Sequence, residues 1–190
     1  MSPVAAMKWL WLAWALSWVI ASLWSGRTEA RPKVTAEMLY RVVTLAGIAL
    51  LFDLERPILP SFPSPEIWRT PDMAGWILVA VTAAGFLFCW WARIHLGRMW
   101  SSSVTRKADH RIIDTGPYSL VRHPIYTGII TASAAMALEK GSVTALAGFA
   151  LVVLGFWIKA RLEERFLRAE LGTEAYDAYS QRTAMLFPGL

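Results

Sequence analysis

The sequence predicts an all-α, polytopic membrane bundle of about five transmembrane helices with a cytoplasmic helical cap at its C-terminal end. Three observations predict it. Of the 190 residues, 56% are hydrophobic and 17% charged, against roughly 45–50% and about 25% in ordinary soluble domains. The apolar residues are gathered into runs approaching the ~20 residues that a helix needs to cross the hydrocarbon core. The basic residues, which leave a formal net charge of +5, collect in the stretches between alternate runs, as the positive-inside rule expects.

The first run is Val4 to Trp24. A secretory signal peptide is its rival reading, but the run is too long, is rich in tryptophan and has no clear small-residue cleavage site. Trp9, Trp11, Trp14, Trp18 and Trp24 read as a mixture of interfacial anchors and packing groups. The second run is Val34 to Leu54, with Arg41 near its start able to snorkel toward water. Asp53, Glu55, Arg56 and Pro57 end it, and Pro57, Pro60, Pro63, Pro65 and Pro71 make the next stretch a loop. The third run, Met73 to Trp91, extends as helix toward Leu96.

From Arg93 to His123 the chain turns polar and basic, with turn signals at Ser101-Ser102-Ser103 and Gly116-Pro117. Apolar character returns from Ile125 to Leu138 and again from Val143 to Ile158, on either side of Glu139-Lys140-Gly141. A tilted hairpin that crosses the bilayer and a re-entrant pair both fit these lengths. The hairpin is preferred because neither arm holds a proline after Pro124. The second arm continues as an amphipathic helix, Lys159–Leu171, with Gly172 as its stop. Ala175–Arg182 forms a further short helix. Residues 1–92 are thus N-terminal transmembrane helices, and 93–190 combine a connector, the hairpin and the cap.

Five spans with the N-terminus outside place three basic groups on the cytoplasmic side: Arg27, Arg31 and Lys33; then Arg98, Arg106, Lys107, Arg111 and Arg122; then Lys159, Arg161, Arg165, Arg168 and Arg182. The expected location is the cell inner membrane, with membrane lipids as neighbours. The basic residues form no contiguous face, so nucleic acid is not an expected partner. Cys89 is the only cysteine, which excludes an intrachain disulfide. His95, His110 and His123 are not at ligand spacing, so no metal site is expected.

The densest group of unusual residues is Gly116-Pro117-Tyr118-Ser119-Leu120-Val121-Arg122-His123-Pro124-Ile125-Tyr126-Thr127-Gly128. Gly116-Pro117 makes a tight turn and Pro124 suits the first turn of a helix. Arg122 and His123 then stand at a helix N-terminus, beside unpaired backbone N–H groups, a place suited to anions. Gly128, a turn further on, leaves room for a backbone or a ligand. The bland alternative is a membrane-entry motif with headgroup-facing Arg122 and His123 and interfacial Tyr118 and Tyr126. The second group is Lys159, Arg161, Glu163, Glu164, Arg165 and Arg168, where the fifth run leaves the bilayer. Arg161 and Glu164 share a helix face, as do Glu164 and Arg168. Arg165, Arg168 and Glu170 read as a solvated face, whereas Glu163 and Glu164 are placed to face the same interior as Arg122 and His123.

Gly116–Gly128, followed by Arg161-x-Glu163-Glu164, Gly172, Tyr176-x-x-Tyr179 and Arg182, resembles the isoprenylcysteine carboxyl methyltransferase family of membrane enzymes. Leu96-Gly97-x-x-Trp100-Ser101 resembles that family's approach to the motif, and the likeness covers roughly 93–190. The resemblance implies S-adenosyl-L-methionine as cofactor, enclosed at the cytoplasmic surface by Gly116, Tyr118, His123, Pro124, Tyr126, Gly128, Arg161, Glu163, Glu164 and Tyr176. It implies His123 near the adenosine part and Glu163 or Glu164 at the methionine ammonium. It implies Arg182, with Arg122 and Glu164, as the residues serving the reaction, and Arg182 as the one that orients an acceptor carboxylate. Thr183-Ala184 departs from the Val-Pro common after that arginine in eukaryotic members, which leaves the acceptor open.

The implied acceptor is a lipophilic or prenylated small molecule that enters from the bilayer, with carboxyl methylation of an isoprenylated cysteine compound the most similar activity. Phenolic or amino lipids would instead need a base, for which Glu163, Glu164 and His123 qualify. A NADPH-dependent membrane reductase resembling the sterol reductases, and a non-catalytic scaffold or transporter, are the competing classes.

Overall fold

The computed structural model describes residues 1–24, 28–30, 34–58, 64–100, 106–107 and 112–188. Six helices carry the architecture: α1 Pro3–Ser22, α2 Val34–Leu51, α3 Asp72–Leu96, α4 Pro124–Lys140, α5 Val143–Leu171 and α6 Thr173–Arg182. A two-stranded antiparallel pairing, β1 Thr28–Ala30 with β2 Arg106–Lys107, is the departure from an all-helical chain among the described residues. The basic residues Arg27, Arg31, Lys33 and Arg111, the serines 101–103, His110, Pro60 and Pro63 lie outside the described residues.

Pro3–Ser22, Asp72–Met99 and Val143–Glu170 are each long and apolar enough to cross a membrane, which makes this an integral membrane protein. The helices run back and forth between two common ends. At one end Gly75, near the start of α3, is packed against Pro3 and the Glu139 carboxylate, and Lys140 Nζ donates to Leu51 O at 2.8 Å and to Asp53 Oδ2 at 2.6 Å. That joins the start of α1, the end of α2, the start of α3 and the end of α4. The α4–α5 turn at Gly141 therefore reaches the far end of the bundle, as the hairpin reading requires. Gly141 adopts φ +55°, and segment 64–71 is laid across it: Ile67 N donates to Gly141 O at 2.7 Å and Val143 N to Pro65 O at 3.1 Å.

Glycines set the distances between helices. A Cβ on Gly148 of α5 would stand 2.6 Å from Leu51 N and 2.7 Å from Gly47 O, and one on Gly47 would stand 2.8 Å from Gly148 O. Such contacts let α2 and α5 approach backbone to backbone, the arrangement small residues permit in membranes. Gly85 and Gly128 do the same for α3 and α4, each placing its carbonyl where the other's Cβ would be. The tryptophans divide as expected. Trp14 stacks on Phe86 at 5.0 Å and Trp11 meets it edge-on at 4.9 Å, while Trp9 and Trp24 are exposed.

At the other end of the bundle, Arg93 is completely buried. Its guanidinium donates to Gly97 O and Ala21 O, each at 2.7 Å, and to Trp24 O. It also lies over the rings of Trp24 and Trp100, at 5.0 and 4.6 Å. Arg93 thereby ties the last carbonyls of α1 to the end of α3, where orphan C=O groups would otherwise be left bare.

Candidate functional site

Gly116–Ser119 forms one 3-10 turn with Pro117 inside it. Gly116 needs its φ of +58°, and a Cβ there would stand 2.8 Å from the His95 ring. His95 Nε2 meets Thr115 Oγ1 at 2.9 Å, which gives His95 a structural task. The turn delivers Val121, Arg122 and His123 to the start of α4. There a second strand-like segment, beyond α6, runs parallel to them. Val121 bridges to Ala184; Arg122 N donates to Ala184 O at 2.8 Å and His123 N to Met185 O at 3.1 Å. Thr127 Oγ1 completes the strap by donating to Leu186 O at 2.5 Å. The backbone N–H groups of Arg122 and His123 are therefore not open to an anion, because the chain's own carbonyls take them.

The side chains converge instead on the acidic pair of α5. Arg122 Nε donates to Glu164 Oε1 at 2.7 Å, with both side chains nearly buried, 11% and 12% exposed. Its terminal nitrogen Nη1 donates to Ser180 O at 3.0 Å and to Thr183 O, so Arg122 latches the end of α6 down. His123 Nε2 lies 3.2 Å from Glu164 Oε1, and Nδ1 lies 3.8 Å from Glu163 Oε2. Because an ionised carboxylate only accepts, Nε2 carries the hydrogen in the closer contact. The Tyr126 hydroxyl donates to Glu163 Oε2 at 2.6 Å, and its ring stacks on His123 at 5.1 Å and 5°.

Glu164 is thus held by two donors in a nearly dry setting, whereas Glu163, 28% exposed, receives one hydroxyl and keeps a second oxygen for something else. Tyr118 and Tyr179 close the cap side. Tyr179 donates to Tyr118 O at 2.8 Å and meets Tyr176 edge to face at 6.2 Å. Burial raises the phenol pKa of Tyr118, Tyr176 and Tyr179, and the Glu163 or Glu164 charge adds to the rise. These hydroxyls stay neutral donors across the physiological range.

Of the residues singled out in the sequence, Tyr118, Arg122, His123, Tyr126, Glu163, Glu164 and Tyr176 come together, with Gly116 and Pro124 shaping the backbone that carries them. Three do not join them. Gly128 packs on Gly85 and Cys89, Arg161 is exposed with its guanidinium 5.9 Å from the Trp157 ring, and Arg182 pairs with Asp114 at the cap surface, 62% and 41% exposed. The structure also adds a wall that the sequence reading leaves elsewhere. Tyr40 and Glu37 of α2 are buried, and Lys159 Nζ lies between the rings of Tyr40 and Tyr126, at 5.6 and 5.0 Å. The nearest sequence signal is the i, i+4 spacing of Lys159 and Glu163, which sets both on one face of α5.

An open apolar cavity of about 410 Å3 runs between α3, α4 and α5 past Val81, Ile130, Phe149 and Val153 to Phe187 of the strap. Among the described residues no three His, Cys, Asp or Glu side chains are arranged to hold a metal ion.

Fold and site together define an integral membrane protein that gathers a buried ionic and aromatic cluster at one end of a helical bundle. Residues 76–169 match the isoprenylcysteine carboxyl methyltransferase (ICMT) family, and the chain belongs to that family. It is 31% identical over 163 residues to methanethiol S-methyltransferase 2 of Bradyrhizobium diazoefficiens, covering 80% of this chain and 59% of that protein. It is 29% identical over 117 residues to the nickel-cobalt-cadmium resistance protein NccN of Alcaligenes xylosoxydans xylosoxydans, covering 60% and 53%. With the cobalt-zinc-cadmium resistance protein CzcN of Cupriavidus metallidurans the identity is 31% over 100 residues, covering 50% and 44%. The chain spans about half the length of these curated relatives.

Proposed function

We propose that this protein is an S-adenosyl-L-methionine-dependent methyltransferase acting on a lipophilic acceptor at the cytoplasmic face of the cell inner membrane, with five spans and the N-terminus outside. The observation that carries the reading is the convergence of Glu163, Tyr126 and His123 above the Arg122–Glu164 pair, within the family to which the chain belongs. The methanethiol S-methyltransferase relative supports methyl transfer as the reaction class.

The residues present fit the cofactor. An ammonium and a sulfonium call for a carboxylate and for aromatic faces, and Glu163 beside the Tyr126–His123 stack supplies both. Glu163, with an oxygen to spare, is assigned the methionine ammonium. Glu164 is assigned the holding of Arg122 and His123. When bound, the cofactor supplies an electrophilic methyl group. The protein's part is to align the acceptor with it and exclude water, which can supply about 7–11 kcal/mol of the barrier. Arg122, occupied by Glu164 and two carbonyls, is a positioning residue. For Arg182 to orient an acceptor carboxylate it must first leave Asp114. The apolar cavity ending at Phe187 gives a hydrocarbon tail a seat open to the bilayer.

The acceptor most similar to the family's is the carboxylate of an isoprenylated cysteine compound. The relative named above favours a thiol as the second choice. Purified protein in lipid nanodiscs, titrated with S-adenosylhomocysteine and with NADPH, tests the class, since preferential NADPH binding defeats it. Transfer of a labelled methyl group to a prenylcysteine, an alkanethiol, a phenolic lipid and an amino lipid then ranks the acceptors.

A further inference from the structure

We infer that Lys159 recognises the negative charge of the acceptor's reacting group. The inference rests on the methyltransferase reading and names a residue for the half of the reaction that reading leaves open. Four cations surround the site, and three are turned to other tasks. Arg122 is bound to Glu164 and to the carbonyls of Ser180 and Thr183. Arg161 leans on Trp157 on the exposed side of α5. Arg182 pairs with Asp114 at the surface of the cap.

Lys159 differs in place and in setting. It lies on α5 one turn before Glu163, hence deeper in the bundle, on the face where α2 and α4 flank α5. Its ammonium is set between one tyrosine from each flank, Tyr40 and Tyr126. Ring faces stabilise a cation without consuming its N–H donors, and Lys159 is half-buried rather than sealed. The Tyr126 hydroxyl is the one that holds Glu163, so the ammonium and the proposed cofactor carboxylate share one aromatic ring. An amphiphile whose tail stays in hydrocarbon presents its head group at this depth. A cation is wanted there.

The expected signature follows from charge. A carboxylate or thiolate loses its negative charge as it accepts a methyl group, so an opposing cation stabilises the bound acceptor more than the transition state. Lys159 therefore serves KM and acceptor affinity, with little effect on kcat. For a thiol it also favours the thiolate.

The test uses full-length protein in nanodiscs, as wild type, Lys159→Met and Lys159→Arg. Dissociation constants are measured for S-adenosylhomocysteine, for N-acetyl-S-farnesylcysteine and dodecanethiol as anionic probes, and for the farnesylcysteine methyl ester as the neutral one. KM and kcat are measured with the two anionic probes. In Lys159→Met the affinity for the accepted anionic probe should fall about ten-fold or more, appearing in KM. Lys159→Arg should restore it, and binding of the ester and of S-adenosylhomocysteine should change less than about two-fold. Unchanged affinity for the anion in Lys159→Met overturns the inference while leaving the methyltransferase reading in place. So does an equal loss for ester and anion, which would make Lys159 part of the scaffold. Wild type that binds S-adenosylhomocysteine but neither binds nor methylates either anionic probe overturns the inference as well. Wild type that binds no S-adenosylhomocysteine overturns the reading beneath it.

Discussion

Arg122 and Glu164, 42 positions apart, meet at 2.7 Å with little more than a tenth of either side chain exposed. Each is the other's reason for being ionised in so dry a place. Removing one partner of a buried pair leaves an uncompensated charge, at a cost of about 3–5 kcal/mol, whereas replacing both by apolar groups can be neutral. Arg122→Met and Glu164→Met should each lower the thermal midpoint in detergent and abolish S-adenosylhomocysteine binding. The double variant should recover most of the midpoint and none of the binding. Additive losses in stability would mean that the pair does not act as a unit.

Tyr126→Phe removes one hydroxyl and keeps the ring stacked on His123. A hydrogen bond to a charged group contributes about 1.5–3 kcal/mol, so S-adenosylhomocysteine affinity should fall by roughly ten-fold. The stack should hold the midpoint within a few degrees. Calorimetric titration alongside differential scanning fluorimetry separates the two effects.

Gly148→Val forces a side chain into the α2 backbone, where even a Cβ would stand 2.6 Å from Leu51 N. Overpacking of this kind costs about 1–3 kcal/mol. Because α2 carries Tyr40 to Lys159, the variant should also weaken acceptor binding, though it lies four turns from the site. Thermal unfolding and the acceptor titration read out both consequences.

Tyr118, Tyr176 and Tyr179 have phenol pKa values raised by burial. A raised folded-state pKa means that the fold holds these protons more tightly than the unfolded chain does. Their contribution is complete below the ordinary value near 10 and is lost as pH climbs past it. Alkaline titration followed by tyrosinate absorbance should show these residues ionising together with unfolding of the cap. Tyr179→Phe should lessen the alkaline loss of stability.

Much of the plan was legible in the amino-acid order. Hydrophobic runs mark the long helices within a few residues, and α5 does continue without a break from Val143 to Leu171 and stop at Gly172. The meeting of the Gly-Pro turn with the acidic pair was legible too, since each is dense in residues a bilayer tolerates only for a reason. Glu37 and Tyr40 were not. They sit at the start of α2, where polar residues read equally well as snorkelling, and only the three-dimensional path of the chain brings them to Lys159. Gly128 shows a second limit: room for a ligand and room for another helix look alike in one dimension, and here α3 fills the space. The strap beyond α6 is too short to have a period of any kind, so nothing in it announced that Ala184, Met185 and Leu186 would bond to the turn before α4.

That strap has a consequence for timing. Residues 184–187 are among the last to leave the ribosome, yet they supply acceptors for Arg122, His123 and Thr127, which were translated some sixty codons earlier. Until then the helices can be inserted and packed, but the entrance to α4 has unpaired amides and no roof. The half-made protein is silent throughout its own synthesis, and a frameshift in the final codons would yield a well-inserted bundle unable to hold its ligand.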